Sequence, residues 1–453
     1  MCNLKPVRSH RALLGGIVLA AAIVVGRGAR AESEAPGRRL TLAEAEAAAL
    51  RHQPLLTEAE GQLEAAEGRV DQARAGYLPQ LSANALFERT TANFAPRPGF
   101  VTPTMVNNAT PAVSWDPRYN YYQFGATASQ LIYDFGLTSG RWRSAAAARD
   151  AAASTRRTAE LQTVFSVRRA YFLARAQRDL VAVAQETVAN QERHAEQTRA
   201  FVGAGIQPDI SLATVLTALA NAKVQLVNAR ANYEVSLAQL GQAMGEPTVQ
   251  PFTLADDELP AVAGEDGPEP SLAEQAQRNR PEIASLEHQR RSQELLADAL
   301  RGGYGPSVGG VANLTEIGSS VTSPVPNWYV GLQLTWTVFQ GGYTRGQVRE
   351  AKGTLANVAG QEAAERLQVS VDVQQGRLAV GAAKATIAAA DEALANAKNQ
   401  LTLAEGRFTH GLGSAIELGD AQVAYTTAAA QSVQARFNLA SARAQLLAAL
   451  GER

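Results

Sequence analysis

The residues from Asn327 to Phe339 read NWYVGLQLTWTVF, and apolar side chains occupy every second position of this stretch. The positions between them carry smaller or more polar residues, such as Gly331 and Gln333. A period of two is typical of a β-strand that has one apolar face. The predicted apolar face consists of Trp328, Val330, Leu332, Leu334, Trp336 and Val338.

Three further stretches complete two predicted strand hairpins. The sequence YYQFGATASQ at Tyr121–Gln130 alternates in the same way, and weaker strands are predicted near Leu81–Glu88 and Ser307–Glu316. These hairpins fit the edge of a soluble sandwich, and strands of about ten alternating residues fit a membrane barrel at least as well. Four strands cannot close a barrel, since about eight are the practical minimum, so a barrel requires several copies of the chain.

The strands belong to two copies of one design within the chain. Tyr77 matches Tyr304 at a spacing of 227 residues, and from the pair Gly136 and Gly342 onward the spacing is 206. The first copy therefore has 21 extra residues, which fall in the proline-rich stretch 91–117 and predict a loop. Because the second spacing holds for over a hundred residues, it indicates rigid helices.

Each copy is predicted to continue from its hairpin into a long helical hairpin. No proline interrupts residues 136–205 or 342–411, and about 70 residues at 1.5 Å rise predict a helix roughly 100 Å long. Glycine turns near Gly205 and Gly411 then lead into returning helices of about 35 residues, which end at Gly245 and Gly451.

The second long helix carries a heptad seam with alternating alanines, which permits close approach of a neighbouring helix. Four glycines lower its helix propensity and are interpreted as points of close approach or bending. The seam consists of Val380, Ala383, Ile387, Ala390, Leu394, Ala397, Leu401, Ala404 and Phe408. The glycines are Gly353, Gly360, Gly376 and Gly381.

The predicted division of the chain begins with a signal peptide at residues 1–31. Basic residues precede a short apolar run there, and Ala29-Arg30-Ala31 has the pattern of a cleavage site. The alternative is an N-terminal membrane anchor, for which the apolar run is short. The predicted segments after it are repeat 1 at 32–245, a proline-rich acidic connector at 246–270 and repeat 2 at 271–453.

Composition argues against several classes of function. The only cysteine, Cys2, precedes the apolar run, so the cleaved chain would have neither disulfides nor thiol chemistry. Cleavage would remove five basic residues and no acids, which changes the formal net charge from −1 to −6 and disfavours a nucleic-acid partner. No later stretch has about 18 uninterrupted apolar residues, so no membrane-spanning helix is predicted. The four remaining histidines lack ligand spacing, and neither a metal nor another cofactor is predicted.

The duplicated order of these features resembles the TolC-like outer-membrane efflux proteins, from about Leu40 to Glu452. The resemblance is carried by the opening LTLAEAEAAALRHQP, the strand entry YLPQLS, the junction VFQGG and the tip RFTHGLGSAIELGDA. It implies a mixed α+β, mainly α fold in a homotrimer. Each chain would add a hairpin from each repeat to one transmembrane β-barrel, and its coiled-coil helices to a periplasmic α-barrel.

The same resemblance implies a place and a role for the protein. It implies the outer membrane of a Gram-negative bacterium, with a large periplasmic portion and contact with outer-membrane lipid. The implied function is a passive channel, not an enzyme, in a tripartite efflux or type I secretion system. Its partners would be a periplasmic adaptor and an inner-membrane transporter.

The resemblance also implies a gate at the helix tips. Aligned through the tip glycine Gly411, the two gate acids of the family fall on Glu417 and Asp420. They are three residues apart and share a helix face, so three chains would surround a narrow pore with six carboxylates that attract cations. An ordinary solvated face is the alternative, and a catalytic pair lacks a nearby nucleophile or base. A basic residue that latches the gate in some members matches Gly413, so a latch here must be built differently.

Other tip residues are predicted to shape the helix turns and contact the adaptor, with pure packing as the alternative. These are Phe201, Gly205, Leu212, Arg407, Phe408, Gly411 and Leu418. The first tip has Ser211 and Thr214 at the positions of the acids and is predicted to lack acidic character.

The second candidate function is a structural periplasmic coiled-coil or adaptor-like protein without a membrane barrel. The strands discriminate between the two, because only a channel places an apolar strand face in lipid. The predicted lipid-facing residues are Trp328, Val330, Leu332, Leu334 and Trp336.

Overall fold

The computed structural model describes residues 38–90, 119–246, 252–322 and 324–453. The predicted signal peptide and the predicted loop at 91–117 lie outside the described residues. The strands are β1 (Arg38–Leu40), β2 (Gln80–Thr90), β3 (Tyr119–Tyr133), β4 (Phe252–Leu254), β5 (Ser307–Gly318) and β6 (Val325–Thr335). The helices are α1 (Leu42–His52), α2 (Pro54–Ala75), α3 (Leu137–Gly203), α4 (Asp209–Met244), α5 (Glu269–Asn279), α6 (Pro281–Arg301), α7 (Tyr343–Thr409) and α8 (Ala415–Leu450).

Four strands form one antiparallel sheet in the order β2, β3, β5, β6, and each of the two outer strands has one edge that pairs with no described strand. Both predicted hairpins are confirmed, and β3 pairs with β5 to join the repeats. Asn84, Gly125 and Thr315 lie in one cross-strand row of the polar face. On the same face the Asn313 side chain donates a hydrogen bond to the Thr127 hydroxyl at 2.8 Å.

The last strand ends earlier than the sequence pattern predicts. Thr335 pairs with Ser307, and the preceding Pro306 has no N–H and follows a 3₁₀ turn, so no strand continues beside residues beyond Thr335. Trp336 therefore lies outside β6, which corrects its predicted place in the strand. Its indole N–H donates to the carbonyl oxygen of Tyr304 at 3.1 Å instead. The predicted face within β6 is exposed at Trp328, Val330, Leu332 and Leu334.

The two long helices α3 and α7 have 67 residues each, which corresponds to roughly 100 Å. Each follows a glycine in the left-handed conformation, Gly136 with φ 85° and Gly342 with φ 85°. This conformation favours glycine because it lacks a Cβ, and it turns the strand sharply into the helix. The predicted long helices are confirmed, although α3 and α7 end two residues before the tip glycines.

The predicted heptad seam of α7 is confirmed by burial. Of its nine positions only Ile387 and Leu394 are half-buried, and the remainder are buried. Alanine at alternate seam positions lets α8 pack closely along α7.

Six helices pack side by side in a wall, on which α1 packs against α3 and α4, and α5 packs against α7 and α8. Next to the sheet their order is α2, α3, α6, α7, which repeats the order of the strands. Trp142 of α3 packs edge-on against Tyr77, with ring centroids 6.3 Å apart. On the other side of α3, the hydroxyl groups of Ser144 and Ser292 are 3.0 Å apart.

In the half of the wall far from the sheet the order is α4, α3, α8, α7. The Thr187 and Thr426 hydroxyl groups form a hydrogen bond that joins α3 to α8, with their oxygens 3.1 Å apart. Ser432 of α8 donates to Asp391 of α7 at 2.8 Å. The helix α8 therefore lies between two long helices, whereas α4 lies against one.

The connector is bound to both repeats. In its first half, Asp257 accepts hydrogen bonds from the Leu42 backbone at 2.7 Å and the Tyr171 hydroxyl at 3.1 Å. Asp256 forms an ion pair with Arg178 of α3 at 2.6 Å. The acidic character of the connector thus matches basic and hydroxyl groups on the long helix.

The second half of the connector is held by a buried carboxylate. Glu265 forms ion pairs with Lys384 of α7 at 2.8 Å and with Arg443 of α8 at 3.0 Å. Burial raises the pKa of Glu265, but the hydrogen bonds from Arg443 and Lys384 outweigh it and hold the pKa at about 2. This carboxylate is therefore charged at neutral pH.

Helix α4 is long and apolar enough to cross a membrane by length and composition, with a mean hydropathy of 1.5 in its most apolar window. The sequence predicts no membrane-spanning helix after residue 31, and length and composition alone do not place α4 in a membrane. Isolated charges such as Lys223 and Arg230 interrupt the apolar run, but they do not lower the mean hydropathy enough to exclude the helix. Only 6% of that window is buried in the single chain.

Two glycines mark places where helices come close. A Cβ at Gly140 would lie 2.4 Å from the Cβ of Ala299 in α6, and one at Gly376 would lie 3.2 Å from the Cα of Leu446 in α8. Of the four glycines interpreted as close-approach or bending points, only Gly376 therefore contacts another helix among the described residues. The other three, Gly353, Gly360 and Gly381, face open space.

Candidate functional site

The second helix tip is a tight glycine turn that ends in a capped helix. Gly411 has φ 73° and donates from its N–H to the Phe408 carbonyl at 3.0 Å. The N–H groups of Leu412 and Gly413 both donate to the Arg407 carbonyl, at 2.9 and 3.0 Å. The hydroxyl of Ser414 then accepts from the Glu417 N–H at 3.1 Å and caps α8.

The turn explains why position 413 is glycine. A Cβ there would lie 3.1 Å from both the Arg407 Cβ and the Phe408 nitrogen, which is tighter than ordinary van der Waals contact. A basic side chain at 413 would thus require the turn to shift. The basic group at this tip is Arg407, whose Nε lies 3.1 Å from Oε1 of Glu417.

The two predicted gate acids have different surroundings. Both are exposed in the first turns of α8, where the helix dipole favours negative charge. Glu417 is paired with Arg407. Asp420 has no ion pair or hydrogen bond from its side chain to the described part of the chain.

Aromatic packing holds the two helical hairpins together just above the tips. Phe408 is buried with Leu418, Leu401 and Ala421. Phe201 of α3 packs on Phe408, with ring centroids 5.7 Å apart and the planes at 63°. Phe201, Phe408 and Leu418, which were predicted as tip residues, therefore meet in one cluster.

The first tip has a similar turn but a different surface. Gly205 has φ 72°, and the N–H of Ile206 donates to the Phe201 carbonyl at 2.9 Å. Pro208 occupies the N-cap position without a side-chain hydrogen bond to the helix, and α4 begins at Asp209. This acid in the first turn corrects the prediction that the first tip lacks acidic character.

Leu212 differs from its repeat counterpart in burial. It is half-buried, whereas Leu418 is 4% exposed, because α4 packs along one long helix and α8 along two. Ser211 is half-buried and Thr214 exposed, so the positions that match the acids are also at the surface of this tip.

Sequence reasoning missed an apolar surface at the tips. Four aliphatic side chains there are between 66% and 75% exposed, and they form repeat pairs at the spacing of 206. That repetition of apolar residues beside a turn was the signal that could have identified them. They are Ile206, Ile210, Leu412 and Ile416.

A second missed feature is a buried histidine behind the aromatic cluster. His194 of α3 packs edge-on against Phe408, and its Nε2 lies 3.7 Å from Oε1 of Glu405 in α7. Neither ring nitrogen has a hydrogen-bond partner among the described residues. Burial lowers the pKa of His194, more than the nearby Glu405 raises it.

No group of three or more histidine, cysteine or acidic side chains is placed to hold a metal ion in the part of the chain that the structure describes. The tip offers one carboxylate paired with a guanidinium and one free carboxylate. That arrangement suits attraction of cations in water.

The sequence matches the pattern of the outer membrane efflux protein family over residues 47–246 and 272–452. It is 26% identical over 431 residues to Protein CyaE of Bordetella pertussis, covering 91% of this chain and 84% of that protein. It is 23% identical over 424 residues to Outer membrane protein TolC of Escherichia coli, covering 88% and 79%. The solved Campylobacter jejuni CmeC outer membrane channel superposes with a TM-score of 0.76 at 18% identity, covering 94% and 90%.

A sheet continued by a wall of long helices, with the family pattern over most of both repeats, defines a class of channel subunit. The chain belongs to the outer membrane efflux protein family. It is an outer-membrane channel component of an efflux system, with a large helical portion in the periplasm.

Proposed function

We propose that three copies of this chain form a passive conduit across the outer membrane and the periplasm. The observation that carries this proposal is that the structure leaves matching edges open. The sheet ends on β2 at one side and β6 at the other, and a sheet of four strands is too small to close into a barrel alone. Three chains supply twelve strands, which is above the roughly eight that a barrel requires.

The helix wall supports the same arrangement. In the far half, α8 lies between two long helices and has twelve buried residues, whereas its repeat counterpart α4 has six. The free side of α4 exposes Val224, Val227 and Val235. The apolar composition of α4 is therefore explained by a long helix of another copy, which would cover the exposed face of α4 as α7 covers α8.

A glycine row marks the opposite edge of the wall. Gly346, Gly353, Gly360 and Gly381 are separated by multiples of seven residues and have open space around them. Residues seven apart lie on one face of a coiled-coil helix. Gly140, the repeat counterpart of Gly346, is pressed onto a neighbouring helix. We infer that the glycine row of α7 accommodates a helix of the next copy.

Assembly in detergent tests the conduit. The protein extracted from outer membranes should have about three times the mass of the 47.9 kDa chain, and it should form conducting pores in planar bilayers. A mature protein that stays soluble and monomeric without detergent would contradict the proposal and favour the structural coiled-coil alternative.

Bulk placed in the glycine row tests the copy-to-copy contact. Gly353→Leu combined with Gly360→Leu should abolish the trimer in light scattering while helix content stays unchanged, since leucine favours helix over glycine by about 1 kcal/mol. Thr354→Leu with Ala359→Leu adds bulk to exposed positions of the same helix outside the row and should leave the trimer intact. A trimer in both variants would reject this contact.

We propose further that Glu417 and Asp420 line a cation-attracting gate at the narrow end. In a trimer the pair would supply six carboxylates, and Arg407 would limit the negative potential of Glu417. The ion pair between Arg407 and Glu417 ties α7 to α8 across the turn, so it is the candidate for the latch that Gly413 cannot provide.

The helix tips are proposed to contact a periplasmic adaptor, which links the channel to an inner-membrane transporter. The exposed aliphatic pairs at the tips support this contact, because an apolar surface beside a rigid turn favours a protein partner. A photo-crosslinking residue at Leu412 should capture the adaptor in cells, and one at Ala359, in the part of α7 near the sheet, should not. Equal capture from both positions would reject tip docking.

A further inference from the structure

Exposed cations cluster where the long helices leave the sheet. Arg143 lies in the second turn of α3, and Arg345, Arg349 and Lys352 lie in the first three turns of α7. All four side chains are exposed. None has an ion pair or side-chain hydrogen bond within the described part of the chain, whereas many arginines farther along the wall are paired, as Arg290 is with Glu362.

Heptad spacing places these four cations on one face of the wall. Arg143 precedes Tyr171 and Arg178 of α3 by 28 and 35 residues, and Arg349 precedes Lys384 of α7 by 35 residues. Tyr171, Arg178 and Lys384 all contact the connector. Arg345, Arg349 and Lys352 follow the i, i+4, i+7 pattern of one helix face. A straight helix drifts by about 20° per heptad, so Arg143 and Arg349 stay within about 100° of the residues that contact the connector, which places the cations toward the side of the wall that carries it.

The connector side is the outside of a closed tunnel, since a layer of connector on the inner side would fill the passage. Directly above the cations, beyond the end of β6, Trp336 and Phe339 are more than half exposed. Exposed aromatic residues at the end of an apolar strand face are typical of the boundary between hydrocarbon and headgroups.

The reach of the side chains matches the headgroup layer. Arg349 lies six residues after the start of α7, which is about 9 Å along the helix. Side chains of a helix tilt toward its N-terminus, and α3 and α7 both begin at the sheet, so these long side chains point back toward the membrane. Arginine and lysine extend by several ångströms more and place their charge at the interface.

We propose that Arg143, Arg345, Arg349 and Lys352 form a basic belt that binds anionic phospholipid headgroups in the periplasmic leaflet of the outer membrane. A phospholipid headgroup is favoured because its phosphate has the opposite charge to the belt, and because the belt continues from the apolar strand face that contacts the lipid chains. The belt fixes the depth of the channel in the membrane. This inference rests on the proposed conduit, because it requires the sheet to face lipid.

Lipid retention tests the belt. The trimer is released from nanodiscs of equal parts phosphatidylglycerol and phosphatidylcholine, and native mass spectrometry counts the lipids that remain bound. Wild type should retain phosphatidylglycerol over phosphatidylcholine by about tenfold or more, since each interfacial cation contributes roughly a fivefold preference for anionic lipid. The variant with Arg143→Gln, Arg345→Gln, Arg349→Gln and Lys352→Gln should lose this preference.

A matched control distinguishes loss of the lipid-binding site from the mere loss of four positive charges. Arg169→Gln, Arg199→Gln, Arg230→Gln and Lys398→Gln remove three arginines and one lysine that are also exposed and unpaired among the described residues, but far from the sheet. This variant should keep the wild-type preference. Equal loss in both variants, no preference in wild type, or displacement of phosphatidylglycerol by lipid A would overturn the proposal.

Conductance in neutral phosphatidylcholine bilayers distinguishes this failure from failure of the conduit. A wild-type protein that conducts but has no anionic-lipid preference rejects the belt alone. A wild-type protein that forms no pore rejects the conduit and the belt with it.

Discussion

Glu417 and Asp420 show how a single contact separates two residues that look equivalent in sequence. Both are acidic, exposed and three residues apart. The guanidinium of Arg407 lies 3.1 Å from the Glu417 carboxylate and offsets its charge, whereas Asp420 has no ion pair with the described part of the chain. The residue that does the offsetting lies ten positions away, in the other helix of the hairpin.

At the residue scale we therefore expect unequal effects on ion selectivity. Asp420→Asn should lower the ratio of cation to anion permeability in planar bilayers by about twofold or more, because it removes an uncompensated charge. Glu417→Gln should lower it less, since Arg407 already offsets that carboxylate.

Arg407→Gln provides the complementary control, because it frees Glu417 and should raise cation selectivity. If Glu417→Gln and Asp420→Asn have no effect and block by multivalent cations is unchanged, the acids form an ordinary solvated surface. An effect of Glu417→Gln that exceeds that of Asp420→Asn would mean that the ion pair with Arg407 does not persist in the trimer.

At the scale of elements, the contact between α3 and α7 near the tips is poised to respond to pH. His194 of α3 is buried against Phe408 and Glu405 of α7, with Arg193 and Gln197 beside it on its own helix. Burial holds the pKa of His194 below its usual value, although Glu405 opposes this. A depressed histidine pKa means that the unfolded chain binds the proton more tightly than the folded chain does.

The sign of the effect follows from that difference. The stabilisation due to neutral His194 is present above the unfolded pKa of about 6.5 and is lost as the pH falls through it toward the lower folded value. Hydrogen exchange, corrected for intrinsic rates, should be faster in residues 190–203 and 401–409 at about pH 5.5 than at about pH 7.5.

His194→Phe should remove this pH response, because phenylalanine fills the same aromatic cluster without titrating. His410→Phe is the control, since His410 is exposed at the tip and should leave the response intact. A response that survives in His194→Phe would assign the effect to another group.

At the scale of the whole molecule, the two repeats are joined by the aromatic cluster near the tips and by three further sets of contacts among the described residues. The sheet joins them through β3 and β5, the wall through α3 with α6 and α8, and the connector through its carboxylates. The connector links α3 to both α7 and α8. Movement of one helical hairpin against the other must therefore strain the ion pairs of Asp256 and Glu265 or move the connector as well. The open edges that remain after these contacts are the ones that the proposed trimer would close.

Much of this architecture could be predicted because strands and helices leave periodic patterns in the local sequence. Alternation of period two gave the strand faces, a heptad pattern gave the seam of α7, and the spacing of 206 matched the two helical hairpins. The positions of the tip glycines Gly205 and Gly411 followed from the end of each pattern, since a left-handed residue commonly ends a helix.

The features that could not be predicted depend on contacts between residues that are far apart in the sequence. The early end of β6 depends on Pro306, which directly precedes the partner strand β5, and the exposed face of α4 depends on packing along one long helix instead of two. The pairing of Glu417 with Arg407, the tight fit at Gly413 and the burial of His194 also arise from contacts between separate helices. Periodicity within an element carries no information about its neighbours, so these features were decided by tertiary packing alone.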